Sequence, residues 1–153
     1  LELMRSKLIP FSLAVVTLLA STGHALAQLK GNLIVGVSGL TNQQGLLCMK
    51  VFGGSQGFPD GDAKAVKQEC VKITGNSMQF KYSGLPSGSY AIAVYHDANG
   101  DRKLNRNSAG MPTEGYGFSN NPVVKAGPPK FGQAVFLIAG PNTRKNIQMR
   151  YGN

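Results

Sequence analysis

Apolar residues alternate with polar or small residues along several short stretches of this chain. In the first stretch, Leu33, Val35 and Val37 share one side of an extended segment. The same period of two recurs in six further stretches: Leu47, Met49 and Val51; Val71 and Ile73; Met78, Phe80 and Tyr82; Tyr90, Ile92 and Val94; residues 134–139; and Ile147, Met149 and Tyr151. A period of two is the signature of a β-strand with one buried face. The pattern therefore predicts about seven short strands.

Turn-forming residues separate these stretches. Glycine, proline, asparagine and serine cluster at residues 39–45, 53–62 and 84–88. Short strands joined by turns at this spacing are typical of a sandwich of two β-sheets. Residues 63–69 can form one helical turn, but no segment keeps a helical period. We predict an all-β chain with a single β-sandwich domain over residues 28–153.

Residues 1–27 have the features of a signal peptide. Arg5 and Lys7 precede an apolar stretch at residues 8–20, and Ala25-Leu26-Ala27 offers the small residues that signal peptidase requires. The alternative is a membrane-spanning helix, for which this stretch is near the short end of the usual length. We expect cleavage after Ala27, export to the periplasm or the exterior, and no membrane span in the mature chain.

Cys48 and Cys70 are the only cysteines. An even number of cysteines in an exported chain indicates a disulfide bond. The alternative is a redox-active dithiol, which usually has a Cys-x-x-Cys spacing that this pair lacks. We predict a structural Cys48–Cys70 disulfide bond.

The chain is basic, which narrows the choice of partners. Without Glu2, Arg5 and Lys7 of the leader, 14 lysines and arginines remain against 6 aspartates and glutamates, a net charge of +8. This balance suits contact with acidic cell-envelope polymer or carbohydrate, but net charge by itself is more typical of a solvated basic surface. Nucleic acid is not an expected partner, because the chain is exported and its basic residues are scattered singly.

Residues 97–132 show no convincing strand pattern and are dense in glycine, proline and asparagine. A connection of this length in a small domain is either functional or disordered. Its apolar residues, among them Met111, Tyr116 and Phe131, favour a loop that packs against the sandwich.

The start of this segment carries candidate calcium ligands at alternate positions. They are the side chains of Asp97, Asn99 and Asp101, the carbonyl of Lys103 and the side chain of Asn105. This spacing resembles the first nine positions of an EF-hand loop, and Glu114 is a further candidate carboxylate. Arg102 replaces the glycine of that loop and Ser108 its closing glutamate, so a weak site is expected. The alternative is a series of Asx turns, in which these side chains bond nearby N–H groups.

His96 is the only histidine after the leader. A metal site built from several histidines is therefore not expected. A Ser-His-Asp triad would need His96 beside Asp97, yet neighbours in a strand point to opposite faces. We expect His96 to pack at the end of its strand and to order the following segment by a hydrogen bond.

Tyr116 and Phe118 lie among glycines shortly before Asn120 and Asn121. If they are exposed, the two rings can stack on sugar faces while the two amides bond sugar hydroxyl groups. If they are buried, the rings plug one end of the sandwich. Both interpretations stay open at this point.

Several blocks of the chain resemble a family of exported bacterial proteins, domain of unknown function 2141. They are FKYSGLPSGSYAIAVYHDANGD at residues 80–101, GMPTEGYGFSNN at 110–121, GPPKF at 127–131 and GFP at 57–59. The resemblance covers nearly all of residues 28–153. It implies a small immunoglobulin-like or transthyretin-like β-sandwich and no established biochemical activity.

From these observations we expect a non-enzymatic, exported binding or accessory module with a loop that calcium orders weakly. The alternative is a structural envelope protein that associates with acidic cell-wall polymer or lipid through its basic surface. An enzyme is not expected, because no set of nucleophile, base and oxyanion donors is visible in the sequence.

Overall fold

The computed structural model describes residues 29–152, which form eight β-strands and two short helical turns. The strands are β1 (Lys30–Ser38), β2 (Leu46–Phe52), β3 (Ala65–Lys72), β4 (Ser77–Pro86), β5 (Gly88–Asp97), β6 (Tyr116–Phe118), β7 (Phe136–Ile138) and β8 (Asn142–Gln148). A 3-10 turn spans Asp62–Lys64, and the helical turn α1 spans Phe131–Ala134. The predicted signal peptide lies outside the described residues.

The strands form two sheets. The smaller sheet has the order β4-β1-β8, in which β4 runs antiparallel to β1 and β8 runs parallel to it. The larger sheet has the order β3-β2-β5-β6, and β7 pairs with the first residues of β5. All pairings within the larger sheet are antiparallel. The predicted β-sandwich is therefore confirmed.

The core lies between the two sheets, on the faces that the sequence pattern predicts. Leu33, Val35 and Val37 of β1 are all fully or almost fully buried. They belong to one cluster with the alternating apolar residues of the other strands: Leu47, Met49, Val51, Phe80, Tyr82, Tyr90, Ile92, Val94 and Ile147. Burial of each such side chain stabilises the fold by about 1.5–3 kcal/mol, so this interface is the main source of stability.

Cys48 of β2 faces Cys70 of β3 across an antiparallel pair, and the two sulfur atoms form a disulfide bond. The predicted structural bridge is thus present. It ties the edge strand β3 to the sheet at a position where only one neighbouring strand holds it.

Three parts of the expected strand pattern are wrong in detail. The 97–132 segment contains a short strand, β6, which alternation does not reveal because its central residue is Gly117. A Cβ atom at Gly117 would lie 2.6 Å from Ile147 Cγ2, so glycine lets β6 approach β8. Residues 131–134 form a helical turn, so that β7 begins only at residue 136. The last strand begins at Asn142, earlier than alternation indicates because its first residues are polar, and it ends at Gln148, before Met149.

The 3-10 turn overlaps the expected helical turn at residues 63–69 only at its start, because residues 65–69 belong to β3. Among residues 29–152, no helix has the length and apolar character needed to cross a membrane.

Replacing both cysteines, as C48A/C70A, is expected to lower the free energy of unfolding by about 3 kcal/mol. The bridge closes a loop with a sequence separation of 22 residues and so restricts the unfolded chain. Urea denaturation of the oxidised protein and of the variant measures this difference. A thiol reductant should lower the unfolding midpoint of the parent protein and leave that of the variant unchanged. Equal midpoints for the oxidised parent and the variant would contradict a structural role.

Candidate functional site

The outer face of the larger sheet is covered by loops rather than by solvent. Ala91 and Ala93 of β5 point to this face, and their small side chains leave room for a second apolar layer. Phe58 is the centre of that layer. Its ring lies 5.4 Å from the ring of Phe52, and two more rings lie close to it, those of Phe118 at 6.0 Å and Phe131 at 5.8 Å. The β2–β3 loop (residues 53–64) and the segment after β5 are therefore anchored to the sheet by aromatic contacts.

Two adjoining clefts open between these loops, with volumes of about 220 and 170 Å³. They share Leu104, Arg106, Tyr116 and Phe118 as a common wall. The first cleft has the more charged lining, which besides Arg106 includes Lys50, Asp60, Asp62, Arg102 and Lys103. The second cleft is more apolar and is closed by residues that include Met111, Val124 and Pro128.

Lys50 supplies a fixed positive charge to the first cleft. Its ammonium group forms an ion pair with Asp62 and donates a hydrogen bond of 3.1 Å to the carbonyl of Asp60. It also lies 5.4 Å from the centre of the Tyr95 ring. Arg106 faces Asp60 at 3.7 Å from the other side. The β2–β3 loop is thereby linked both to the sheet and to the segment after β5.

Tyr95 fastens the base of the β5–β6 loop (residues 98–115). Its hydroxyl donates a hydrogen bond of 2.8 Å to the carbonyl of Arg102. Burial, assisted by the nearby carboxylates beginning with Asp62, raises the pKa of Tyr95 to about 12. The hydroxyl therefore stays protonated at neutral pH and remains a donor.

Asp97 ends β5 and is completely buried. One of its carboxylate oxygens accepts the N–H groups of Gly100 at 2.8 Å and Asp101 at 3.1 Å, and the other accepts that of Arg102 at 2.8 Å. Hydrogen bonds to a charged acceptor are roughly twice as strong as neutral ones. They hold the tight turn in which Arg102 has a φ of 62°, a conformation that glycine adopts more easily.

The next acidic residue, Asp101, is bound by donors of its own loop. One oxygen accepts the N–H of Lys103 at 2.9 Å, and the other accepts the side-chain NH₂ groups of Asn99 at 3.1 Å and Asn105 at 3.0 Å. These donors, led by the Asn105 amide and the Lys103 N–H, hold the pKa of Asp101 below its usual value. Asn99 also forms an Asx turn, because its oxygen accepts the N–H of Asp101.

Glu114 closes the loop from its far end. Its two oxygens accept the N–H of Ala98 and the N–H of Asn105, each at 2.9 Å. The structure thus brings together the side chains of Asp97, Asn99, Asp101, Asn105 and Glu114, as the sequence pattern suggests. Lys103 takes part through its backbone N–H.

In this structure the candidate calcium ligands form hydrogen bonds with the protein itself. All six carboxylate oxygens of Asp97, Asp101 and Glu114 accept hydrogen bonds from the protein. Asn99 and Asn105 turn their NH₂ groups toward Asp101, and Oδ1 of Asn105 is buried without a hydrogen-bond partner among the described residues. Within residues 29–152, no group of three His, Cys, Asp or Glu side chains lies together in a way that can hold a metal ion. Hydrogen-bonded Asx turns describe the geometry of the loop.

His96 is buried on the core face of β5, and both of its ring nitrogens are occupied. Nε2 lies 2.7 Å from the carbonyl of Gln44, which can only accept, so Nε2 carries the proton. Nδ1 then accepts a bond of 2.8 Å from the hydroxyl of Tyr151. The expectation that this side chain bonds the following segment is wrong, because its partners lie before β2 and near the C-terminus. Only its backbone N–H reaches the β5–β6 loop, at Gly115.

The four predicted ligand-surface residues have different surroundings. Tyr116 is half-buried between the two clefts, whereas Phe118 is buried in the apolar layer. The Asn120 amide donates to the carbonyl of Val135 and accepts from Lys145. The Asn121 amide donates to the carbonyl of Asn146 at 3.1 Å and accepts the N–H of Gln148 at 2.8 Å. Asn121 thus occupies hydrogen-bonding groups on the edge of β8 as a neighbouring strand would.

Sequence reasoning missed Leu104, Arg106, Val124 and Lys125 as lining residues. Their only signal is the mixture of basic and apolar residues in a segment rich in turns. The contacts of Phe58 and Phe131 with the sheet determine which loop residues line the clefts. A local sequence pattern does not contain that information.

Comparison with known proteins yields one family. The sequence profile of a family described as "Uncharacterized protein conserved in bacteria (DUF2141)" matches residues 35–146. No curated protein and no solved structure matches the chain.

Calcium is expected to leave the thermal stability unchanged. The N–H groups of the loop already satisfy its carboxylates, so a cation has to displace existing bonds. For the parent protein, the melting midpoint in millimolar calcium should equal the midpoint in chelator. The same should hold for D101N. A midpoint that rises with calcium in the parent but not in D101N would contradict the hydrogen-bonded description.

Acid is expected to loosen the turn at Asp101. Because its folded pKa lies below the ordinary aspartate value of 3.8, the charged carboxylate stabilises the folded loop fully above that value. The contribution is lost as the pH falls through the folded pKa. Carboxyl NMR titration measures this pKa directly, and N105A should raise it toward the usual value. A pKa at or above 3.8 in the parent protein would be inconsistent with the observed donors.

Proposed function

The chain belongs to the family of uncharacterized proteins conserved in bacteria (DUF2141), and we propose that it is an exported, non-enzymatic binding module. Its ligand-binding site in this proposal is the pair of clefts on the outer face of the larger sheet. Its ligand is a segment of acidic carbohydrate or of another acidic cell-envelope polymer.

The observation that carries this proposal is the chemistry of the cleft walls. Lys50, Arg102, Lys103 and Arg106 line the first cleft together with only two carboxylates. Within the described part of the chain, Arg102 and Lys103 form no ion pair, so their charges are available to an acidic ligand. Arginine and lysine bind carboxylate or phosphate groups by charge-assisted hydrogen bonds.

The second cleft complements the first. The half-buried Tyr116 ring lies at the boundary, where one side of a sugar unit can rest against an aromatic surface. Beyond it, the apolar wall formed by Leu104, Met111 and Val124 suits the non-polar face of a sugar unit. A ligand that spans both clefts meets positive charge at one end and apolar surface at the other.

The rigidity of the loop supports binding. Asp97, Asp101 and Glu114 hold residues 98–105 through backbone N–H bonds, so the positions of Arg102 and Lys103 are defined before a ligand arrives. A site that is ordered in advance loses less conformational entropy on binding. In this proposal the order of the loop does not depend on calcium.

Two further observations support the other parts of the proposal. The ring nitrogens of His96 are both engaged with Gln44 and Tyr151, and this histidine is therefore a poor candidate for a general base. The disulfide bond fits an oxidising compartment, in agreement with the expected signal peptide.

A second candidate function is a structural envelope protein that associates with acidic polymer through its basic surface. The charge balance favours this alternative, since basic side chains outnumber acidic ones in the whole sequence by 16 to 7. It differs from the first proposal because it needs an extended surface and no cleft.

Removal of two cleft cations, as K103A/R106A, is expected to weaken binding to purified bacterial cell walls by about tenfold or more, because each lost charge-assisted bond contributes about 1.5–3 kcal/mol. The matched control K64A/K67A loses the same charge outside the clefts and should bind nearly as the parent does. Co-sedimentation over a salt series measures both, since contacts between charges weaken as salt rises. Equal losses in the two variants would contradict a site in the clefts.

A further inference from the structure

The outer face of the smaller sheet carries polar and basic side chains in ordered rows. The residues that point away from the core are Lys30, Asn32, Ile34, Gly36 and Ser38 on β1, Ser77, Gln79, Lys81 and Ser83 on β4, and Asn142, Arg144, Asn146 and Gln148 on β8. Eight of these side chains end in an amide or a hydroxyl group and three are cationic. We define these thirteen residues as the polar sheet face.

The polar sheet face has no acidic residue. The six acidic residues of the described chain all belong to the larger sheet or to its loops: Asp60, Asp62, Glu69, Asp97, Asp101 and Glu114. Positive charge is therefore unopposed on the face itself. A surface of one charge sign attracts and orients a partner of the opposite sign.

The strand register defines the arrangement of these side chains. Ile34 on β1 pairs with Lys81 on one side and with Arg144 on the other. The two cations lie two strand spacings apart, which is roughly 10 Å. In the next row Gly36 pairs with Gln79 and Asn146, so that two amides flank a position without a side chain.

Gly36 forms the floor of an open groove. The groove has a volume of about 510 Å³ and is lined by residues that include Ser38, Ser77, Gln79 and Asn146. A Cβ atom at Gly36 would lie 2.9 Å from Oδ1 of Asn146, so a larger residue would fill the groove. Amide and hydroxyl groups along a shallow groove match the hydroxyl groups of a sugar chain.

We propose that the polar sheet face binds an extended acidic polysaccharide, with Lys81 and Arg144 contacting its acidic groups and the amides of Gln79 and Asn146 contacting its hydroxyl groups. This inference rests on the second candidate function, since it names the surface and the polymer class through which the envelope association occurs.

The same face is poorly suited to a lipid surface. Binding to a membrane surface usually combines cations with apolar side chains that enter the lipid boundary. The only large apolar residue on the face, Ile34, is half-buried. The exposed large apolar residues lie elsewhere: Leu29, Val66, Met111, Val123 and Leu137.

The polar sheet face and the clefts lie on opposite outer faces of the sandwich, and they can therefore be tested separately. The variant K81Q/R144Q removes two charges from the polar sheet face, and Q79E/N146E places two negative charges beside its groove. The control K67Q/K72Q removes two charges from exposed positions of β3 in the larger sheet. Circular dichroism and melting verify that all variants are folded.

The probe is polygalacturonate, a linear polymer of acidic sugars, and its affinity is measured over a salt series. We expect the parent protein to bind at low salt. Both variants of the polar sheet face should bind at least about tenfold more weakly, and K81Q/R144Q should also show a smaller salt dependence. The control should change by less than about twofold.

The possible failures are distinguishable. If the parent protein co-sediments with purified cell walls but does not bind polygalacturonate at low salt, this inference is overturned and the envelope association stands; if it binds neither, both are overturned. If the parent binds but K67Q/K72Q loses as much affinity as K81Q/R144Q, net charge alone explains binding and only the surface assignment fails. If the parent protein binds phosphatidylglycerol vesicles but not the polymer, and K81Q/R144Q abolishes the vesicle binding, the face binds lipid. That result would overturn the proposal.

Discussion

The buried carboxylate of Asp97 accepts hydrogen bonds from the N–H groups of three residues that follow it within five positions. A buried charge is costly unless it is hydrogen-bonded, so this carboxylate and its turn stabilise each other. Asp97 points to the outer face of the larger sheet because it occupies the same alternating positions of β5 as Ala91, Ala93 and Tyr95. The turn that Asp97 holds sets the positions of Arg102, Lys103 and Leu104, and these residues line the first cleft. The site therefore depends on one charge that is bound by backbone groups.

The two outer faces of the sandwich differ in chemistry. The larger sheet presents small side chains outward, and these are covered by aromatic rings from Phe58, Phe118 and Phe131. The smaller sheet presents amides, hydroxyls and cations outward, and most of these side chains are exposed in the described part of the chain. A sandwich of this kind offers a cleft for a defined unit on one side and a polar groove for an extended chain on the other. Both surfaces are cationic, and in the two proposals each of them binds an acidic polymer of the envelope.

Sequence alone predicts the core well, because alternation reports directly which strand face is buried. The rows through Leu33, Leu47, Phe80 and Ile92 all lie between the sheets as expected, and the disulfide bond is present. Alternation does not reveal β6, whose three residues include a glycine, or the start of β8, where polar residues occupy both faces. Alternation also cannot predict the clefts, because Phe58 contacts Phe118 and Phe131 only after the loops have folded. For Asp97 and its neighbours, spacing predicts that the side chains converge, but whether an ion or N–H groups satisfy them depends on the turn geometry.

The most direct test of this account is amide hydrogen exchange of the β5–β6 loop in the presence of a metal chelator. If the carboxylates of Asp97 and Glu114 order the loop without an ion, the N–H groups of Gly100, Arg102 and Asn105 should be protected, and D97N should lose protection at Gly100 and Arg102. Exchange of these amides at the rate of an unfolded chain, with protection only after calcium is added, would contradict the central claim that the protein's own donors build the site.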